Sequence, residues 1–293
     1  MSNVSDRNGR ALETIVTSSF INEFEHIKLL GGTQADQERD SVKVDSLPPE
    51  LLSRYKKSSV KIVGWFISFH CKEKPSSITI ERLSDDVAKK GDPTDIRIIV
   101  NGNTINISLK HNHKAVKHQR PGALPQQCGF VKNSSEDSTY RNSYKQVCDT
   151  FINKADTLDP GATLFNELKA IDGSFIDIHI YKPICELVAK FINTNCNNAK
   201  QAAFMFNFLV GTTDYHKIIV NESNIEILDF INLSNVNNVR AEITSNSYIH
   251  LHFSNEWVLS MRLHTASSRL SGVSLKFDTQ PHIINIPTLT INL

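Results

Sequence analysis

Asn101-Gly102, set between two apolar stretches, constrains this chain more than any other pair of residues. Asn and Gly accept the positive φ values of a type I′ turn, the connection that joins two antiparallel strands most tightly. Ile96 to Val100 before the turn is, Arg97 apart, apolar and β-branched. After it, Ile105, Ile107 and Leu109 alternate with Asn106, Ser108 and Lys110. The spacing predicts a hairpin with one apolar and one polar face. Asp95 opens the first strand and Lys110 closes the second, so antiparallel pairing brings the two charges together.

The 293 residues allow one large domain or two modest ones with a sizeable core. A hydrophobic share of 40% with 22% charged residues is that of a globular protein. The net charge of +1 neither favours nor excludes nucleic acid, which leaves the question to local clusters. The longest apolar runs, 62–69 and 202–210, are too short and interrupted to span a bilayer, and the polar start Met1-Ser2-Asn3-Val4-Ser5-Asp6-Arg7 has no apolar leader segment. The five Cys are odd in number and form no CxxC pair, which argues against zinc and for reduced thiols in a cytosol.

Leu12, Ile15, Val16, Phe20, Phe24 and Ile27 recur at helical spacing and predict a helix from Gly9 to about Leu30, ended by Gly31-Gly32. Glu13 lies at the edge of that apolar stripe, where a solvated acid favoured by the helix dipole is the plain reading. Residues 33–46 read as a loop, 47–57 as a short helix after Pro48-Pro49, 60–70 as a buried strand, 76–80 as a short strand, and 81–90 as a short helix or loop. Helices are expected over 135–156, 162–170, 181–193 and 199–210. The last third changes character, with strands expected over 216–220, 225–231, 241–244, 247–253, 256–263 and 274–278. No repeat or linker interrupts the chain, so it reads as one domain with a β-rich C-terminal part.

The hairpin carries the chemistry. A carboxylate at Asp95 can hold Mg²⁺ together with a main-chain carbonyl and phosphate oxygens. Lys110 beside it can orient or help deprotonate an attacking water and offset charge on a pentavalent phosphate. Asp92 is the rival acid, but before Pro93 it reads as a turn residue. From Lys110 to Arg120 there are four Lys/Arg, three His and no acid, which favours phosphate contact by His111, His113, Lys114, Lys117, His118, Gln119 and Arg120 over a merely solvated face. The literal His-Asn-His at 111–113 is not an HNH nuclease motif, whose residues are far apart in sequence. From Trp257 to Phe277 there is again no acid. Arg262, His264, Arg269 and Lys276, with Ser267 and Ser268, suit guanine edges and phosphates, against the alternative of ordinary strand edges. Asp214, Tyr215 and Lys217 read as a helix-to-strand turn rather than a DNA-contacting loop.

Pro93-Thr94-Asp95, twelve intervening residues, then Ser108-Leu109-Lys110 resembles the PD-(D/E)xK nuclease signature, with Ser108 where the second acid usually stands. Gly9-Arg10-Ala11-Leu12-Glu13, Asp92 to Ile96, Ile107 to His113 and Lys117 to Pro121 together resemble type II restriction endonucleases of that superfamily, within them the HaeIII-like family. Phe208 to Gly211 with Asp214 to Lys217, and Met261 to Arg269 with Ser274 to Asp278, match in style, so the resemblance spans most of the chain. It implies an α/β (α+β) fold with a PD-(D/E)xK core, a central mixed sheet flanked by helices, in a single endonuclease domain: a catalytic core over about 1–130, and helices with a β-rich DNA-recognition part over 131–293. It implies Mg²⁺-dependent hydrolysis of both strands of a short palindromic double-stranded DNA site, GGCC for this family, leaving 5′-phosphates. The catalytic set is then Asp95, Ser108 and Lys110, with Glu13 on the first helix as the missing second acid and Asp95 and Glu13 as metal ligands. A methyltransferase for the same site in the host and a bacterial cytoplasmic location follow, with no membrane contact. Action as a homodimer or by successive nicks of a monomer stays open. The competing readings are a repair or nicking nuclease on the same core, and a non-catalytic DNA-binding protein on that fold.

Overall fold

The computed structural model describes residues 4–84, 86–87, 91–233 and 235–293. Its contacts group the chain into two compact units that are not consecutive in sequence. The first comprises Met1–Lys114, Thr212–Leu233 and Ile286–Leu293; the second comprises Ala115–Gly211 and Ser234–Asn285.

The first unit begins with α1 (Val4–Glu23), β1 (Lys28–Leu29), α2 (Thr33–Asp45) and α3 (Pro49–His70). Then come β2 (Ile78–Arg82), β3 (Ile96–Val100) and β4 (Asn103–His111). The chain leaves the sheet after His111 and returns to it at Tyr215. In the second unit it forms α4 (Leu124–Gln127), α5 (Ser135–Leu158), α6 (Phe165–Ile171), a π-helical turn at Asp177–Tyr181, α7 (Lys182–Asn195) and α8 (Ala199–Val210). β5 (Tyr215–Val220) and β6 (Asn224–Phe230) rejoin the first unit. β7 (Val239–Ser245), β8 (Tyr248–Phe253), β9 (Val258–Thr265) and β10 (Leu275–Ile283) belong to the second, and β11 (Thr288–Asn292) returns to the first.

The first unit holds a mixed sheet in the order β1-β2-β3-β4-β5-β6-β11. β1 and β2 are parallel, as are β4 and β5; the other neighbours are antiparallel. Helices α1, α2 and α3 pack on it and on one another, burying Leu12, Val16 and Phe20 of α1 and Ile62 and Phe66 of α3 against Ile80, Ile96, Ile98, Ile107 and Ile218 of the sheet. The chain is thus a mixed α/β protein with a central mixed sheet and flanking helices. The hairpin forms as expected: Asn101 and Gly102 take φ of +50° and +86°, and Val100 pairs with Asn103. The Asn101 side chain also accepts hydrogen bonds from the backbone of Ser76 and Ser77, tying the turn to the start of β2.

The second unit holds an antiparallel sheet in the order β10-β9-β8-β7. Ser134 and Asn198 cap α5 and α8 by accepting from the backbone of Asp137 and Gln201. Asn193 of α7 makes two hydrogen bonds with the Ala241 backbone of β7, at 2.9 and 2.8 Å.

Three expectations about local structure are corrected. Residues 60–70 are the second half of α3, not a strand. Tyr55, Ser59, Ile62 and Phe66 recur at helical spacing inward, while Val60 and Phe69 face out. The run of apolar residues hid the period. Residues 33–46 are not a loop but α2. This helix buries only Thr33 and Asp40, and is held by ion pairs such as Asp36–Arg39, so its signal lies in charge spacing rather than in an apolar stripe. The first helix ends at Glu23 rather than Leu30, because Lys28 and Leu29 pair with Thr79 and Ile80. β11 had no expectation, and part of 81–90 lies outside the described residues.

Candidate active site

Asp95 sits where β3 begins, its N–H donating to the Ile107 carbonyl at 2.9 Å. That bond aims its side chain at the end of β4. Three donors converge on one carboxylate oxygen, Oδ2: the Leu109 N–H at 2.6 Å, the Lys110 ammonium at 3.1 Å and the Ser108 hydroxyl at 3.2 Å. The polar face of β4 is therefore directed inward, and Asn106 and Ser108 are buried. Asp92 is spent locally. It accepts from Thr94 N–H at 3.0 Å and from Arg97 at 2.7 Å, a turn role.

Glu13 is not a solvated helix-end acid. It is buried, and its Oε2 accepts from Arg10 at 3.1 Å and from Arg82 at 2.9 Å. Burial, and next the charge of Asp95, push its carboxyl above the usual range, opposed by Arg10 and Arg82. Glu13 and Asp95 thus share one electrostatic environment. Arg82, the last residue of β2, was invisible to sequence reasoning. Its guanidinium also donates to Asp40 at 2.9 Å, Gln37 at 3.0 Å and Thr14 at 3.2 Å. The next residue, Leu83, donates its N–H to the Asp95 carbonyl at 3.0 Å. One strand end therefore fixes the backbone of one acid and the side chain of the other.

Burial alone would raise the Asp40 carboxyl, but hydrogen bonds from Arg39 and Arg82 and their charges outweigh it and hold it at about 2. The folded value lies below the ordinary 3.8, so Asp40 stabilises the fold fully above 3.8 and loses that contribution as pH falls toward 2. In Asp40→Asn the acid limb of the stability curve, measured by denaturant titration between those pH values, is expected to be flatter than in the wild type.

Tyr215 and Lys217 lie within β5, not in a turn, and both are buried. Lys217 is in register with Ser108 and so shares its face of the sheet. Its ammonium donates to the Lys114 carbonyl at 2.7 Å and lies 5.9 Å from the centre of the Phe230 ring. Burial pushes it down to about 7, with the charge of Lys110 adding and that of Asp95 opposing. A single Lys in an apolar strand gave no signal beyond its parity.

The basic run divides between the units after Lys114. His113 and Lys114 are exposed, and Lys114 pairs with Glu226. His111 is half-buried with its ring against Tyr55, and burial pushes its imidazole down. In the second unit His118 lies 3.4 Å from Asp278, Arg120 donates to Ser274, and Lys117 stands over the Phe208 ring at 4.5 Å. Gln119 is fully buried, bridging backbone to backbone with Phe277, so its assignment to DNA contact is corrected. In the C-terminal block Arg262, Ser268 and Arg269 are exposed, and His264 and Lys276 face each other across β9 and β10. The Ser267 hydroxyl accepts from Arg269 N–H at 3.2 Å.

Among the described residues no group of three or more His, Cys, Asp or Glu could hold a metal ion. The donors present near Asp95 are oxygens, one carboxylate and one hydroxyl, a set suited to a hard cation that keeps several waters.

The model of the family described as HaeIII restriction endonuclease matches residues 9–247, which include α1, the hairpin and β5. The chain belongs to the HaeIII restriction endonuclease family. The type II restriction enzyme HaeIII of Haemophilus aegyptius is 24% identical over 328 positions, an alignment that takes in 100% of this chain and 98% of that enzyme. No solved structure matches. As a family member the chain is a site-specific deoxyribonuclease, and DNA is its substrate. Among the described residues no helix is long and apolar enough to cross a membrane.

Proposed function

We propose that this restriction endonuclease works through a PD-(D/E)xK-type site built on the β3–β4 hairpin, hydrolysing both strands of a short palindromic DNA site with Mg²⁺ and leaving 5′-phosphates. The convergence of Ser108, Leu109 and Lys110 on Asp95 Oδ2 carries this reading. Asp95 holds the Lys110 ammonium at the mouth of the hairpin, about a quarter exposed, where a phosphodiester can approach. Lys110 orients the attacking water and offsets the negative charge that grows on phosphorus. Ser108 contributes a neutral oxygen only. Asp95 and Glu13 would hold the Mg²⁺, which when bound polarises the phosphate and lowers the pKa of a water.

His111, His113 and Lys114 on the first unit, and Lys117, His118, Arg120, Arg262, His264, Ser267, Ser268, Arg269 and Lys276 on the second, would contact the DNA. The antiparallel sheet of the second unit is the proposed recognition part, and a methyltransferase of the same specificity would protect the host. The family resemblance favours GGCC as the site.

Digestion of a plasmid of known sequence with Mg²⁺ tests this. Discrete double-strand fragments whose ends map to one palindrome and carry 5′-phosphates are expected. Nicks or a smear would point to a different nuclease, and retardation of DNA without cleavage to a binding protein.

A further inference from the structure

Ser108 leaves the hairpin with one acid where the PD-(D/E)xK signature has two. The neighbouring strand supplies a charge of the other sign. Ser108 and Lys217 are register partners on parallel strands, so both project from the same face as Lys110, two residues further along β4. Lys217 is 2% exposed. Its ammonium is held by the Lys114 carbonyl and lies near the Phe230 ring, and both favour a cation. It feels the charges of Lys110 and Asp95 directly.

The balance of charge is therefore shifted toward the positive. Two acids and one lysine carry net negative charge and must gather metal cations before they can meet a phosphate. With Asp95 and Glu13 set against Lys110 and Lys217, the lysines equal the acids in number. We propose, given Asp95 and Lys110 as the reacting pair, that Lys217 is a positioning residue of the nuclease reaction. Its buried ammonium stands as a second cation behind that pair and adds to the charge compensation at the scissile phosphate.

Three consequences hold the proposal together. Position 108 and Lys217 share one face of adjacent strands, so a carboxylate at 108 would draw on the Lys217 charge that Ser108 leaves to the reacting pair. In a low-dielectric interior the charge acts on Lys110 and Asp95 without touching the substrate. An arriving phosphodiester adds negative charge that favours the protonated form of the lysine.

Lys217→Gln keeps a donor for the Lys114 carbonyl but removes the charge. Single-turnover cleavage of a duplex carrying the mapped site is expected to fall about tenfold or more, while metal-free DNA affinity changes by less than about twofold and the melting midpoint is retained. Lys217→Arg is expected to recover most of the lost rate, which a purely structural role would not give. A folded Lys217→Gln that cuts within about twofold of the wild-type rate would overturn the proposal. If Lys217→Gln does not fold, Lys217→Arg decides: cleavage well above that of Lys110→Ala supports the role, and a folded variant as slow as Lys110→Ala overturns it. Lys110→Ala also separates the two layers of inference. If it cuts at the wild-type rate, the active-site assignment itself fails. If it is inactive and Lys217→Gln is unimpaired, the role of Lys217 alone fails.

Discussion

Asp95→Ala is expected to slow single-turnover DNA cleavage by a factor on the order of a thousand, the scale of losing a preorganised charged group, while DNA binding is retained. The size follows from how much one oxygen organises. Oδ2 holds the Lys110 ammonium at 3.1 Å, the Ser108 hydroxyl at 3.2 Å and the Leu109 N–H at 2.6 Å. Without it the lysine loses its anchor and swings with its four-carbon stem, and the proposed metal loses its strand-borne carboxylate. The fold suffers less. The Asp95 and Lys110 side chains are 23% and 28% exposed, so water can replace the lost partners, and a stability loss of about 1 kcal/mol is expected. Asp95→Asn separates charge from shape, because an amide oxygen can still accept from Leu109 but cannot balance an ammonium. Cleavage by either variant at the wild-type rate would remove Asp95 from the mechanism.

Arg82→Met is expected to lower folding stability by about 3–5 kcal/mol, the largest effect of any single substitution considered. The Arg82 side chain is 1% exposed and that of Asp40 0%, so solvent screens nothing there. Removing the guanidinium leaves the Asp40 and Glu13 carboxylates facing one another across α1 and α2, with Arg10, Arg39 and Lys43 at their outer sides. A methionine of similar length fills the space, so the loss reports charge rather than a cavity. Pairing it with Asp40→Asn removes one stranded carboxylate and should recover part of the loss, an interaction energy that a double-mutant cycle reads directly. A denaturation midpoint for Arg82→Met within the error of the wild type would show that the network contributes nothing.

Sequence reasoning and structure parted at definite residues. The hairpin was legible because type I′ geometry demands residues such as Asn101 and Gly102, and because period-two alternation is short-range. Helix α8 and strands β5 to β10 were legible for the same reason: each announces its own apolar pattern. Helix α3 was misread where Val60 to His70 is apolar on nearly every side. Helix α2 was missed because it packs through Asp40 and Thr33 rather than through Leu or Ile. The buried roles of Arg82, Gln119 and Lys217 could not be read at all, and that of Glu13 only through the family resemblance, since each is created by strands or helices far away in the chain.

What the sequence by itself determined is the pairing of Asp95 with Ser108 and Lys110, for these residues lie on two strands joined by a two-residue turn whose register the turn dictates. Their chemistry needed no distant partner to be seen. Only the tertiary structure decided the rest: that Glu13 comes to share the field of Asp95, that Arg82 grips Glu13, and that Lys217 lies in register with Ser108 on the neighbouring strand. The physical reason is the parallel pairing of β4 with β5, and the packing of α1 beside the sheet. Both join segments separated by long stretches of chain, and no local pattern encodes which residues such contacts bring face to face.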